Sequence, residues 1–358
     1  MGKKNEIEEC YVAIYVDDCY CVGTKKDLED LTKRLQVETD RVEPFKIKIE
    51  DGRSDYLSCE VIFNEEKTKG WLGQPHLVKK LYSTFWEDVK NMQVYKTPGT
   101  PGMSIIRAKS DEEKVKSEMQ AKYRSGVGML LYLVKHSRPD IANQVRELSK
   151  ALDGPTEACL KEMYRVIKFV LDTKDVGLKM FPDEIGEDYK WKIQVFTDSD
   201  WAGDRDTRLS VSGFVLYVLG VPILWRSKGQ KSVALSSSEA EYISLSEAAK
   251  EVKFVSQLLD SMYLEVEKPI KVRVDNVGAI FMTKNNTTTS RTRHVDIRYN
   301  YVREMVTDGF VEIIFVKTAE NESEGFTKNL SSELYQKHSQ KQVVSKAGTL
   351  QETKNDVR

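Results

Sequence analysis

The stretch from Trp191 to Leu330 is predicted to fold as an α/β domain on a mixed five-stranded sheet of order 3-2-1-4-5 with flanking helices. Three observations predict it. The runs Trp191–Asp198, Ser212–Leu219 and Pro222–Ser227 read as strands joined by short connections. A long helical pattern, Ser236–Met262, follows the third strand. Strand and helix patterns then alternate to Gln336. Strands joined by tight turns form an antiparallel meander. Strands joined through helices run parallel with right-handed crossovers.

Each element has a local reason. Ile193 and Val195 share one face of the first strand, and Gly220 marks the turn between the second and third. Tyr242, Leu245, Ala249, Val252 and Leu259 recur at helical spacing. Ile270, Val272 and Val274 alternate in the fourth strand, and Phe310–Val316 is the fifth. Asn276–Lys284 and Asp296–Val306 read as helices, and Glu324 opens a last helix to Gln336. Beyond Gln340 the chain is polar and expected to be disordered.

Upstream, Tyr11–Val16 and Cys19–Val22 read as short strands around an acidic turn, with a helix over Lys25–Arg41. Tyr56–Phe63 and Lys69–Leu72 form a strand pair, and Gln74–Phe85 a helix. Thr97–Gly102 carries two Pro-Gly steps and reads as a linker. Helical patterns at Ser125–Val134, Ile141–Leu152 and Pro155–Asp172 follow it. The expected organisation is an N-terminal segment (1–95), a mostly helical connection (96–185), the α/β domain (186–338) and a tail (339–358). Structure begins by residue 11, so a chain cut short at its N-terminus is expected.

Composition narrows the class. Hydrophobic residues make up 40% and charged residues 31%, which suits a globular protein with a core. The 55 Lys and Arg against 56 Asp and Glu give a net charge of -1, so nucleic-acid contact would need local basic patches. Five scattered cysteines and four histidines do not form a zinc or disulfide framework. Met1–Glu9 is polar and no apolar run reaches a membrane span, so an intracellular protein is expected.

The topology concentrates carboxylates. In the 3-2-1-4-5 order the first and fourth strands are parallel neighbours, and Asp198 and Asp275 end them at one carboxyl edge. Glu241 lies in the first turn of the long helix, and Glu324 follows the fifth strand. Four convergent carboxylates suit two Mg²⁺ ions about 3.5–4 Å apart, one activating water and one stabilising the leaving oxygen of a phosphodiester. Each residue also has a plain reading: Asp198 and Asp275 as turn formers, and Ser236 with Glu239 or Ser238 with Glu241 as a helix capping box.

Longer motifs carry a resemblance. They are Tyr15-Val16-Asp17-Asp18; Tyr123-Arg124-Ser125 with Gly128; Arg138-Pro139-Asp140-Ile141; Thr197-Asp198-Ser199-Asp200-Trp201-Ala202-Gly203-Asp204; Ser237-Ser238-Glu239-Ala240-Glu241-Tyr242; Val274-Asp275-Asn276; Arg291-Thr292-Arg293-His294-Val295-Asp296-Ile297-Arg298; and Phe326-Thr327-Lys328. In this order they resemble the C-terminal part of copia-type retrotransposon polyproteins: the end of reverse transcriptase, the connection and RNase H. The resemblance runs from about Tyr11 to Leu330.

It implies an RNase H-like domain that hydrolyses the RNA strand of RNA–DNA hybrids with two Mg²⁺ ions, Mn²⁺ able to substitute. Asp198, Glu241 and Asp275 take the metal-carboxylate positions, with Asp200 and Glu239 as near decoys. Glu324 stands where the family usually has Asp, one methylene longer. Asp17 and Asp18 resemble two of three polymerase palm carboxylates, making residues 1–95 a palm and thumb remnant expected to be inactive as a polymerase alone. Lys284, Arg291, Arg293 and His294 form an acid-free stretch suited to phosphates, with Arg205, Arg208, Arg226, Lys228 and Lys231 opposite. Trp201 and Trp225 read as packing residues. The implied partners are the hybrid and other retrotransposon polyprotein products, with no membrane.

Two other functions fit the fold. One is a non-catalytic remnant of a decayed element that keeps a nucleic-acid-binding fold. The other is an integrase-type transferase, which the glutamate on the helix between the two Asp-bearing strands argues against.

Overall fold

A computed structural model describes residues 10–16, 18–37, 54–183, 188–284 and 293–350. The chain divides into two compact units, Met1–Ile62 and Phe63–Arg358. The expected boundaries near residues 95 and 185 therefore fall inside the second unit.

In the first unit, β1 (Tyr11–Tyr15) and β2 (Asp18–Val22) pair antiparallel, with Tyr15 opposite Asp18. Val16 has a φ of 53°, a conformation that costs a β-branched residue energy. Helix α1 (Lys25–Leu35) starts at Thr24, whose hydroxyl accepts the Asp27 N–H at 3.3 Å. It ends six residues before Arg41, and residues 38–41 lie outside those described. The run Tyr56–Phe63, expected as one strand, is two: β3 (Ser54–Tyr56) and β4 (Cys59–Phe63). Leu57 and Ser58 between them have φ values of 54° and 61°, the left-handed pair that a tight hairpin requires.

The second unit opens with β5 (Gly70–Gly73), α2 (Pro75–Val89), α3 (Ser117–His136), α4 (Ala142–Ser149), α5 (Glu157–Asp172) and β6 (Val176–Met180). The helices bury Leu81, Phe85, Tyr123, Leu130, Leu160 and Met163 in one core. Pro139 ends the α3 register and opens a single 3-10 turn before α4. Beside it, Arg138 is buried, with Nε and Nη2 each 2.8 Å from an Asp140 carboxylate oxygen. Arg138 also donates to the Thr173 carbonyl at the end of α5. Tyr335 donates its hydroxyl to Asp140 at 2.8 Å.

The sheet follows as expected. Its strands are β7 (Ile193–Asp200), β8 (Val211–Val218) and β9 (Val221–Gly229). Then come α6 (Ser237–Ser261), β10 (Ile270–Val274), α7 (Val277–Lys284), α8 (Arg293–Thr307) and β11 (Val311–Phe315). The order β9-β8-β7-β10-β11 is the predicted 3-2-1-4-5. The first three strands are antiparallel, and β10 is parallel to both β7 and β11. Ile193, Val195, Phe214 and Leu216 pack on Tyr242, Leu245, Ala249 and Val252 of α6. The other face carries Phe196, Val215, Tyr217 and Phe326, with Ala142 of α4 in the same cluster. Trp225 of β9 donates its indole N–H to the Val134 carbonyl of α3 at 2.8 Å.

The C-terminal expectations need correction. Glu324 does not open a long helix: Glu324–Phe326 is one 3-10 turn, and α9 (Ser332–Gln342) begins at a Ser331 cap. Thr327 ends the turn by directing its hydroxyl to the Glu324 carbonyl, at 3.0 Å, and to Asp198. The segment after Gln340 is ordered as β12 (Val343–Ser345) and α10 (Lys346–Leu350). β12 pairs antiparallel with β6, which pairs with β5. Backbone pairing holds this segment despite its polar composition.

Removing one partner from the buried pair strands the other charge, which costs about 3–5 kcal/mol. Asp140→Ala is therefore expected to lower the urea midpoint sharply. An exposed control such as Asp260→Ala is expected to leave it unchanged.

Candidate metal centre and active site

Asp198 lies near the end of β7, and Asp275 follows the last residue of β10. The parallel register places Val274 opposite Thr197, so the two aspartates occupy the next position on adjacent strands. The α6 cap decides which serine–glutamate pair is structural. Ser236 accepts the Glu239 N–H at 3.1 Å, and Glu239 accepts the Leu235 N–H at 2.8 Å. Glu239 is thus occupied at the cap, and Glu241 turns inward.

One ligand oxygen from each of Asp198, Glu241 and Asp275 lies within 4.8 Å of the others. Asp198 and Glu241 are only 2% and 5% exposed, so their charges face each other with little water. Glu241 Oε1 accepts the Ser199 N–H at 3.1 Å, while Oε2 is buried without a hydrogen-bond partner among the described residues. Burial, then the charges of Asp198 and Asp275, push the Glu241 carboxyl up to about 9. Burial also raises Asp198, to about 6, against the opposing pull of Lys328 and Thr327.

Surrounding groups hold this arrangement. Ser244, one helical turn beyond Glu241, donates to the Asp198 carbonyl at 2.8 Å and lies 2.8 Å from the Thr197 hydroxyl. Thr327 donates to the Asp198 carboxylate. Gly213 stands opposite Asp198 across the β7–β8 ladder. A Cβ there would lie 2.7 Å from Thr327 Cγ2 and 2.8 Å from Phe326 Cβ, so only glycine admits that segment. Asn276, next to Asp275, accepts the Ala279 N–H at 2.9 Å and the Ser238 hydroxyl at 3.1 Å. This ties the start of α6 to the Asp275 turn.

Glu324 is buried but does not join the trio. Its carboxylate meets Lys328 Nζ at 3.1 Å, and its Oε2 is 4.0 Å from His338 Nε2. Burial pulls Lys328 down, but the negative charges of Asp198, Glu324 and Asp200 outweigh it, so its pKa stands above the usual lysine value. Thr327 and Lys328 belong to a quoted motif that sequence reasoning left without a role. His338 carries no local sequence signal.

The other expected residues are placed less closely. Asp18 begins β2, and Asp17 lies outside the described residues. Lys284 ends α7 exposed, Arg291 lies outside the described residues, and Arg293 and His294 start α8 with side chains outside the described set. Arg226 is tied to Glu251 of α6 at 2.6 Å, and Arg205 donates to the Gly102 carbonyl. Trp201 is 50% exposed but anchored by its N–H to the Ala234 carbonyl at 3.0 Å.

All donors of the trio are carboxylate oxygens, which suits a hard divalent cation. The unpartnered Glu241 oxygen is the kind of atom such a cation would satisfy. A mixed sheet of this order, with carboxylates ending its first and fourth strands and a third on the intervening helix, defines an RNase H-like fold.

No protein-family model matches the chain. The retrovirus-related Pol polyprotein of transposon TNT 1-94 from Nicotiana tabacum is 32% identical over 88% of this chain and 23% of its own length. Those of transposons RE2 and RE1 from Arabidopsis thaliana are 29% identical over 94% of this chain and 22% of theirs. The chain belongs to the copia-type retrotransposon Pol polyproteins, and it spans less than a quarter of these relatives' length. Among solved structures, an RNase H1 isolated from compost is 14% identical over 41% of this chain and 96% of its own, with a TM-score of 0.29. The same enzyme in complex with an RNA/DNA hybrid is 13% identical over 38% and 94%, also at 0.29.

The raised carboxyls set a pH dependence. A carboxyl whose pKa is higher in the fold than in the unfolded chain makes the fold bind extra protons between the two values. Stability from Asp198 and Glu241 is full below about pH 4 and falls as pH rises through about 6 and then about 9. In EDTA, the urea midpoint is expected to fall from pH 5 to pH 9. In the Asp198→Asn/Glu241→Gln double variant that fall is expected to be smaller.

Proposed function

We propose that this chain is a metal-dependent ribonuclease that hydrolyses the RNA strand of RNA–DNA hybrids. The observation that carries the reading is the buried trio Asp198, Glu241 and Asp275 with an unpartnered Glu241 oxygen. Membership of the Pol polyproteins supports it. In this reading residues 1–95 are a palm and thumb segment, 96–185 the connection and 186–338 the RNase H domain.

The trio would hold divalent cations, Mg²⁺ first and Mn²⁺ as a substitute. When bound, these supply positive charge that orients the phosphodiester and stabilises the charge of its displacement. The chain's own work is positioning. The Ser199 N–H fixes one Glu241 oxygen and leaves the other free. Thr327 orients the Asp198 carboxylate, and Ser244 fixes the backbone behind it. Glu324 holds Lys328 beside the trio, where its charge lowers the cost of gathering carboxylates. Lys284, Arg291, Arg293 and His294 would meet the phosphates of the hybrid.

The test is cleavage of a labelled RNA–DNA hybrid in Mg²⁺. Asp198→Asn, Glu241→Gln and Asp275→Asn are each expected to lower kcat/KM by about 1,000-fold, roughly 4 kcal/mol of transition-state stabilisation. Glu324→Gln is expected to lower it by roughly tenfold, because its partner is Lys328. Binding of hybrid without cleavage by the wild-type chain would instead support a non-catalytic module, the reading favoured by Glu324 standing apart from the trio.

A further inference from the structure

Two divalent ions about 3.5–4 Å apart need carboxylates beyond the set that holds the first. Among the described residues, no fourth ligand group joins Asp198, Glu241 and Asp275 within 4.8 Å. Glu324, the carboxylate expected there from sequence, is already engaged. Its Oε1 lies 3.1 Å from Lys328 Nζ, four residues on. Its other oxygen is 4.0 Å from His338 Nε2 of α9. The turn that carries Glu324 is pinned as well. The Thr327 hydroxyl reaches both the Glu324 carbonyl, at 3.0 Å, and the Asp198 carboxylate. That same contact delivers the next residue, Lys328, to the edge of the trio.

Three carboxylates converge on the Lys328 ammonium. Glu324 binds it directly, and the charges of Asp198 and Asp200 act on it too. Asp200 lies two residues beyond Asp198, on the same face of β7. For both aspartates, Lys328 is the strongest influence that favours the charged form. The other cations near Asp200 are committed elsewhere. Arg146 and Lys150 share Glu147 at 2.6 and 2.7 Å, and Lys150 also meets Asp204 at 3.0 Å. Lys328 therefore stands where a second positive charge is wanted, already tethered to the chain.

We infer that this centre takes one divalent cation and that the Lys328 ammonium serves as its second positive charge. The inference rests on reading the trio as the cation centre of the proposed nuclease. It departs from the pair of Mg²⁺ ions that the sequence implied. An ammonium fixed beside Glu324 repels a second divalent ion and withholds the carboxylate that would ligate it. Two charges are still present at the carboxylates, but only one of them depends on the concentration of free ion. The Lys328 side chain is 39% exposed, so replacing it leaves no buried void.

Counting the Mn²⁺ bound to the full chain without nucleic acid, by loss of the free-ion electron paramagnetic resonance signal, tests this. The Asp198→Asn/Glu241→Gln variant supplies the background of surface binding to be subtracted. Above it, wild type is expected to bind one ion, and so is Lys328→Arg, which keeps the charge. Lys328→Met is expected to bind two, because Glu324 is released as a ligand. Lys328→Gln is expected to bind two as well, and it keeps a hydrogen-bond donor for the buried Glu324, which protects the fold. Lys328→Met/Glu324→Gln is expected to return to one. Two ions in wild type overturn the inference, as does a single ion in both neutral Lys328 variants. No ion in wild type overturns the cation centre itself. Hybrid cleavage in Mg²⁺ separates the two readings. A wild type that binds one ion, with variants that follow the predicted counts, but does not cleave sinks the nuclease reading alone. One that binds two ions and cleaves sinks only this inference.

Discussion

The parallel pairing of β7 with β10 is the constraint on which the rest of this structure depends. Its register sets Val274 beside Thr197, and Asp275 and Asp198 therefore meet at one edge. Side chains alternate faces along a strand, so a slip of one residue would turn one aspartate away from the other. The β8 ladder holds β7 from the other side, and Asp198 falls opposite Gly213. Everything that shapes the site is arranged around that pair: Glu241 descending from α6, Ser244 beneath the Asp198 carbonyl, and Thr327 through the gap left by a missing Cβ.

Gathering these groups opposes folding. Three carboxylates within 4.8 Å repel one another, and burial of Asp198 and Glu241 removes the water that would screen them. The protein offsets part of this with fixed donors at Ser199 and Thr327 and with the ammonium of Lys328. The remainder stays as raised carboxyl pKa values and one unpartnered oxygen. A site of this kind stores unfavourable electrostatics in the free protein, which a bound cation would release.

Much of this was readable from sequence because the signals are periodic. Alternation in Ile193–Val195 and Ile270–Val274, the Gly220 turn and the helical face of α6 together fix the sheet order, and the sheet order places Asp198, Glu241 and Asp275. The misses have local causes. Leu57 and Ser58 adopt left-handed backbone although neither is Gly, Asn or Asp, so one apparent strand hid a hairpin. Val176, Leu178 and Met180 alternate, but β6 is short and follows three helices, and its partner β12 is only three residues long and distant in sequence. Glu324 looked like a helix start because its charge and position suited one. The deciding interactions, Thr327 to Asp198 and Lys328 to Glu324, include a contact across 129 residues that no local pattern encodes.

The connection is part of the site rather than a spacer before it. Asn329, two residues beyond Thr327, accepts from Asn143 and Gln144 of α4 at 2.8 and 2.6 Å. Its own amide donates to the Thr100 carbonyl in the Pro-Gly linker at 2.9 Å. The segment that orients Asp198 is thus clamped to α4 by one side chain. On the far side of α4, Arg138 and Asp140 join the end of α5 to Tyr335 of α9. Both fastenings run between the helical connection and the chain that follows the sheet. Loosening either would move Thr327 before it disturbed the strands, because β7 and β10 are held by their own ladder while Thr327 is held by a single 3-10 turn. The geometry of the carboxylate trio therefore depends on helices far from it in sequence, which explains physically why the connection and the α/β domain form one compact unit.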